Sequence, residues 1–166
     1  MRNPRKALIV ALQVIHAGEL AAALAYQGHA RAVSSVQTQL AIQQVECEEW
    51  QHRKMLASML ADLGAAPCPR RERSKRRLGS VLSFLCGWVG EWLPARIAGA
   101  LERRGAVEYR RASALADAAG EHDKVQPLLE YATVEDAHGL YFEELALSLG
   151  CAFRRHRRSG AASPLR

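Results

Sequence analysis

Residues 35–63 read SVQTQLAIQQVECEEWQHRKMLASMLADL, and the interpretation of the whole chain starts from this stretch. Its apolar residues recur at helical spacing, Ser35 is a residue type that caps helix N-termini, and Gly64 is a normal C-terminal stop. The stretch contains the E-x-x-H element EWQH at 49–52. Because positions i and i+3 share a face of a helix, this element presents a carboxylate and an imidazole to one point.

The same spacing predicts helices on both sides of this one. Further long helices are predicted over residues 6–33, over 94–119 and, after the turn at 120–123, up to Gly150. Residues 65–78 are interpreted as a proline-marked basic linker, and 79–92 as a short apolar segment that ends before Pro94. This order of helices, linker and apolar segment predicts an all-α protein. We expect a four-helix bundle of two antiparallel helical hairpins with a short apolar crossover helix. We expect residues 1–150 to form this domain and 151–166 a basic tail.

Composition and charge narrow the class of protein. The 166 residues are 49% apolar and carry a net charge of +6, which favours one folded domain over a disordered chain. Residues 70–77 carry +5 and the tail carries another +5 from five arginines, so the remainder is mildly acidic at −4. Such basic segments suit the phosphates of lipid or nucleic acid, with a plain solvated linker and tail as the alternative.

Two further features bear on cellular location. The four cysteines form no CxxC pair, which excludes a zinc knuckle or rubredoxin-type iron centre and favours reduced intracellular thiols. The apolar run 7–15 resembles the core of a signal peptide, but His16 and Glu19 interrupt it before any cleavage site. We interpret this segment as the first helix of a cytoplasmic protein.

A second E-x-x-H element, formed by Glu135 and His138, points to metal chemistry. In an antiparallel hairpin, residues equidistant from the turn lie at the same depth. Glu19 and Glu49 are equidistant from the break at Ser34, and Glu108 and Glu135 are equidistant from the turn at 120–123. Each hairpin is therefore predicted to bring one glutamate level with one E-x-x-H.

One glutamate from each of two helices and one E-x-x-H from each of the other two form a ligand set for two metal ions in a bundle core. The predicted ligands are Glu19, Glu49, His52, Glu108, Glu135 and His138. Carboxylate oxygens with one imidazole per metal suit two iron ions, with manganese as the alternative, better than zinc. Surface glutamates with incidental histidines are the alternative interpretation.

Three tyrosines are additional candidates. Tyr26, Tyr109 and Tyr131 lie on the predicted helices, where each could hydrogen-bond a ligand carboxylate or carry a radical, although plain packing is the favoured interpretation. His16, one turn before Glu19, is interpreted as a core histidine.

These motifs resemble the ferritin-like di-iron carboxylate proteins and, within them, the demethoxyubiquinone hydroxylase family. The resemblance covers residues 7–149 and is carried by the pair GE at 18–19, EWQHRKML at 49–56, the glycine-containing crossover GSVLSFLCGWVGEWLPARIAGAL at 79–101 and GAVEY at 105–109. It implies a ferritin-like bundle with a di-iron centre that activates O₂. The implied substrate is a hydrophobic, quinone-like ring reached through peripheral contact of residues 70–93 with the inner face of a membrane.

Other functions remain compatible with the sequence. A ferroxidase or iron-handling protein would use the same site with Fe(II) as its substrate. A metal-free helical protein could instead bind nucleic acid through residues 70–77 and 154–158, and a di-iron hydroxylase of a modified tRNA base would combine both ideas. The electron donor and association with a second copy are left open by the sequence.

Overall fold

The computed structural model describes residues 3–160, and side chains as far as residue 151. Its helices are α1 (Pro4–Ala32), α2 (Val36–Asp62), α3 (Pro69–Val89), α4 (Trp92–Ala118) and α5 (Val125–Gly160), with a 3₁₀ turn at His122–Lys124. This part of the chain contains no strand, which confirms the all-α prediction. The predicted cap also forms, since the Ser35 side chain accepts a hydrogen bond from the Thr38 N–H.

Helices α1, α2, α4 and α5 form a bundle in which α1 packs on α2, α4 packs on α5, and α1 also packs on α4. The apolar core is divided into two clusters. One contains Leu12, Leu56 and Leu128, and the other contains Ile42 and Phe142. On each of the four helices, the stretch between the residues of these two clusters carries buried polar side chains. The middle of the bundle is therefore polar.

The predicted basic linker is largely helical, which corrects the interpretation of residues 65–78. Helix α3 begins at Pro69 and runs through the whole basic run 70–77 into the apolar segment. A proline suits the first turn of a helix, and no glycine or proline follows it before Gly79. Glu72 fixes this first turn by accepting hydrogen bonds from His16 of α1, at 2.8 Å, and from Arg53 of α2, at 2.9 Å.

Helix α3 lies on α1 through a close backbone approach. Of its 21 residues only Gly79 and Cys86 are buried. A Cβ atom at Gly79 would lie 2.9 Å from the Ala21 Cα, and one at Gly28 of α1 would overlap the Ser83 backbone. Small residues thus bring the two helices together, and most of the α3 surface stays exposed.

Helix α5 continues through Gly150 to Gly160, past its predicted end. A single glycine costs a helix only about 1 kcal/mol relative to alanine and does not by itself end it. Trp92 packs at this glycine, where a Cβ would lie 3.3 Å from the indole Nε1. Of the predicted basic tail, residues 161–166 and the side chains from residue 152 onward lie outside the described residues.

Among the described helices, α1 alone is long and apolar enough to cross a membrane, with a mean hydropathy of 1.8 over an 18-residue window. Half of that window is buried inside the bundle, and α1 also carries the buried polar residues His16 and Glu19. Both features are typical of a core helix.

Candidate metal centre

Six acidic and imidazole side chains converge in the polar middle of the bundle, and each is at most 6% exposed. They are Glu19 of α1, Glu49 and His52 of α2, Glu102 of α4, and Glu135 and His138 of α5. They form two groups of four, each containing one histidine, and within a group the potential ligand atoms lie within 4.8 Å of one another. Glu49 and Glu135 belong to both groups. The arrangement is thus two adjoining sites that share two carboxylates.

Both histidines direct Nδ1 into the cluster. The Nδ1 of His52 lies 3.1 Å from a Glu135 oxygen and 3.9 Å from a Glu49 oxygen. The Nδ1 of His138 lies 3.4 Å from the other Glu49 oxygen and 3.7 Å from a Glu102 oxygen. Glu49 therefore faces one histidine with each of its two oxygens, as a carboxylate bridging two ions would.

The structure places Glu108 outside this cluster and Glu102 in the position predicted for it. The Glu108 side chain is half-buried and pairs with Arg104, one turn away, with Oε1 and Nε 3.0 Å apart. The buried face of α4 is a stripe at helical spacing, formed by Ala95, Ala98, Glu102, Ala106, Tyr109 and Ser113. Glu108 lies about 120° around the helix from Glu102, off this stripe.

Along α4, Glu108 lies close to the depth of the cluster but on a different face of the helix from Glu102. A Cβ atom at Gly105 would lie 2.5 Å from the Glu135 Oε2, so Gly105 is the residue of α4 level with Glu135. Glu102 and Glu108 are each three residues from this level position, on opposite sides of it. The stripe of small residues in the sequence would have selected Glu102, because only Glu102 is in register with it.

Two of the candidate tyrosines hold carboxylates of the cluster. The Tyr109 hydroxyl donates a hydrogen bond to the Glu19 Oε1 at 2.5 Å, and the Tyr26 hydroxyl donates one to Glu102. Both phenols are buried, and burial raises the pKa of each well above its ordinary value. Each therefore remains a proton donor at neutral pH. Tyr131 contributes packing, with its ring 4.8 Å from that of His52.

Burial and mutual repulsion favour protons on the cluster when no metal is present. Burial, followed by the neighbouring carboxylates, raises the pKa of Glu135 to about 12 and that of Glu49 well above its ordinary value. Burial would also raise the pKa of Glu102, but hydrogen bonds to its carboxylate outweigh burial and lower it. Burial, with the nearby charge of His138, lowers the pKa of His52 to about 4. Cations entering this site would displace protons from it.

The donor atoms fit divalent cations. In the part of the chain that the structure describes, five cluster atoms are buried without a hydrogen-bond partner: both Glu49 oxygens, the Glu135 Oε1 and the Nδ1 atoms of His52 and His138. Leaving such a group unpaired costs about 1–3 kcal/mol. Two divalent ions would satisfy these atoms and balance four carboxylates, and oxygen-rich sites with one imidazole suit iron or manganese.

A cavity of about 350 Å³ leads from the cluster toward α3. Carboxylates of Glu19, Glu102 and Glu135 lie at its inner end. The rest of its wall is mainly apolar and comes from α1, α3 and α4, including Ile15, Ala22, Leu78, Leu82, Leu85, Leu93, Ile97 and Leu101. Five of these wall residues, from Leu78 to Leu101, are also more than a third exposed at the outer surface. The cavity therefore opens on the apolar α3–α4 face.

The protein is thus a helical bundle with a buried site able to hold two metal ions. Its four bundle helices bring four carboxylates and two histidines together at this site. Residues 6–110 match the model of the family described as ubiquinone biosynthesis protein COQ7. The chain therefore belongs to the COQ7 family, a ferritin-like di-iron family whose members act as hydroxylases in ubiquinone biosynthesis. Comparisons with curated proteins and with solved structures give no significant match.

The family match covers four of the six residues of the cluster. The matched segment contains Glu19, Glu49, His52 and Glu102 but ends within α4. Glu135 and His138 lie beyond it. The structure brings these two α5 residues to the first four, and so completes a symmetrical set that the match alone does not cover.

Proposed function

We propose that the protein is a di-iron oxygenase that hydroxylates a quinone-like ring in ubiquinone biosynthesis. Glu19 and His52 would hold one iron and Glu102 and His138 the other, while Glu49 and Glu135 would bridge them. When bound, the two irons supply the reduction of O₂ to an oxidant able to hydroxylate a C–H bond. The reaction consumes O₂, two electrons and two protons per hydroxylation and releases one water, so an external reductant is required.

The residues around the irons would orient the ligands and exclude water. The Tyr109 hydroxyl fixes one oxygen of Glu19 and leaves the other free to coordinate metal. Tyr26 does the same for Glu102 at the opposite end of the cluster. The two apolar core clusters close the site from above and below, so the cavity is the route by which an organic substrate would arrive.

The observation that carries this proposal is the apolar cavity between the carboxylates and the α3–α4 face. A ring with a hydrophobic tail could place its reacting carbon at Glu19, Glu102 and Glu135 and leave the tail along the leucines of α3 and α4. A site that oxidised only Fe(II) would need no apolar passage of this size.

The outer surface suits a membrane-held substrate. Phe84 is 68% exposed and Trp88 is 77% exposed, and both extend the apolar rim around the cavity mouth. The exposed arginines of the basic run 70–77 precede this rim on the same helix. Each basic residue near anionic lipid contributes about 1 kcal/mol to binding, and aromatic rings favour the interface. We infer peripheral contact of residues 70–93 with the lipid surface.

The test compares alanine variants of two glutamates of α4. It measures the number of irons bound, hydroxylation of a quinone and flotation with liposomes. Wild type and Glu108→Ala should each bind two irons and float with anionic liposomes, and wild type should hydroxylate a short-chain demethoxyquinone in the presence of a reductant. Glu102→Ala should lose one iron and the hydroxylation, because only Glu102 reaches the cluster.

Three outcomes would overturn the proposal. Rapid Fe(II) oxidation by wild type without quinone hydroxylation would establish the ferroxidase alternative. Loss of iron in Glu108→Ala but not in Glu102→Ala would refute the ligand assignment. A metal-free wild type that binds nucleic acid would replace the enzyme with a binding protein.

A further inference from the structure

The outer nitrogen of His138 is held by a carboxylate that does not belong to the cluster. The His138 Nε2 lies 2.6 Å from the Oε2 of Glu48, which precedes Glu49 on α2. The other Glu48 oxygen accepts a hydrogen bond from the Gln44 side-chain amide at 2.7 Å. Gln44, one turn earlier on α2, thus fixes the carboxylate so that it faces α5.

This contact determines which nitrogen of His138 can bind a metal. A carboxylate only accepts hydrogen bonds, so Nε2 carries the proton and donates it to Glu48. In the neutral imidazole, the form that binds a metal, the lone pair then resides on Nδ1, which points at Glu49 and Glu102. A carboxylate on the outer nitrogen also makes an imidazole a stronger donor to a metal.

His52, the matching ligand of the other site, has different surroundings. Within residues 3–151, no carboxylate oxygen pairs with its outer nitrogen, and both of its carboxylate contacts are made by Nδ1. His52 lies along a groove that also contains Glu48, Met55 and Tyr131, but the hydrogen bond of Glu48 is made to His138. The two otherwise similar sites therefore differ in the partner of their histidine.

We propose that Glu48 is a positioning residue that orients His138 and strengthens it as a ligand, so that the protein holds its two metal ions unequally. This inference rests on the proposed two-metal centre and adds an order of affinity. The ion beside His138 binds more tightly than the ion beside His52.

The experiment titrates the metal-free full chain with Mn(II) alone and follows the EPR signal of the free ion, which reports binding without turnover. Wild type should bind two Mn(II) ions with different affinities. Glu48→Gln should weaken the tighter ion by about 10–100-fold, the range typical for removal of such a partner, and weaken the other ion less, because Glu48 lies beside His52 but hydrogen-bonds His138. The matched control is Glu46→Gln on the same helix, whose carboxylate accepts hydrogen bonds from Gln27 and Trp50.

Two additional backgrounds show whether Glu48 acts through His138. In His52→Ala, one ion should remain, and adding Glu48→Gln should weaken it. In His138→Ala, Glu48→Gln should weaken the remaining ion much less than it does in His52→Ala. The metal-free variants should keep the helical circular dichroism of wild type, which separates weaker metal binding from loss of the fold.

The outcomes separate this inference from the proposed function. If wild type binds two ions and Glu48→Gln leaves both affinities unchanged or weakens both equally, Glu48 does not have the proposed role. The two-metal centre would then still stand. A wild type that binds fewer than two Mn(II) or Fe(II) ions overturns the two-metal centre and this inference together.

Discussion

Replacing Gly105 with alanine should disable the metal centre without weakening the metal-free fold. Gly105 lies in the middle of α4, and the Glu135 carboxylate packs directly against its Cα. The alanine Cβ would lie 2.5 Å from the Glu135 Oε2, whereas ordinary contacts begin near 3.4 Å. The carboxylate must therefore recede by about 0.9 Å, the difference between these two distances.

A displacement of this size affects the metal-loaded and metal-free states differently. Metal–oxygen bonds tolerate only about 0.2 Å of deviation, so a shared carboxylate that recedes by several times this amount cannot bridge two ions. Without metal, the end of the Glu135 side chain can move at a rotamer cost of about 0.5–1.5 kcal/mol. The gain of about 1 kcal/mol from replacing glycine with alanine in a helix offsets that cost.

Metal titration and thermal melting of the same variant check this reasoning. Gly105→Ala should lose at least tenfold in affinity for one ion, which corresponds to about 1.4 kcal/mol. Its metal-free melting temperature should stay within about 2–4 °C of wild type, the shift that 1 kcal/mol produces at this chain length. Gly87→Ala on α3, where a Cβ meets no atom within 4 Å, is the control. Two ions bound with wild-type affinity in Gly105→Ala would refute the position assigned to Glu135.

Two other changes test the protonation of the cluster and the packing of α3 on α1. Chelation should lower the melting temperature, and more so at about pH 9 than at about pH 7. The folded metal-free chain keeps a proton on Glu135 that the unfolded chain has released, so about 1.4 kcal/mol of stability is lost for each pH unit from the unfolded pKa up to about 12. An equal loss at both pH values would contradict this. Gly28→Ala should drive α3 off α1 at a cost of about 1–3 kcal/mol, because its Cβ overlaps the Ser83 backbone. Proteolysis within α3 should then accelerate, and cleavage as slow as in wild type would refute the close approach.

The four bundle helices could be predicted from the sequence because their ends depend on local chemistry. Ser35 caps α2 through its own side chain, and Gly64 and Gly120 adopt the positive φ angles that glycine permits. The start of α3 could not be predicted in this way. Its basic run is helical because Glu72 bonds to His16 of α1 and Arg53 of α2, and these contacts arise only from tertiary structure.

Four of the six cluster residues could also be predicted from the E-x-x-H elements, since each element fixes its own geometry on one helix face, and Glu19 followed from its depth in the hairpin with Glu49. The lone glutamate of α4 has no such local partner, and the choice between Glu102 and Glu108 depends on which face of the helix is buried. The alanines around Glu102 carry that information, whereas the equal-depth argument ignores rotation about the helix axis. Glu48 could not be identified beforehand, because its partner His138 lies 90 residues away on another helix.

The polar centre of the bundle links folding to metal loading. Four carboxylates in the middle of an apolar core oppose folding unless protons or cations neutralise them, and the raised pKa values of Glu49 and Glu135 favour protons on these two residues in the metal-free chain. Incoming ions exchange with these protons and satisfy the buried oxygens at the same time. Metal binding should therefore both stabilise the fold and release protons, so that a chain without metal can fold but is left with a neutralised, inactive centre.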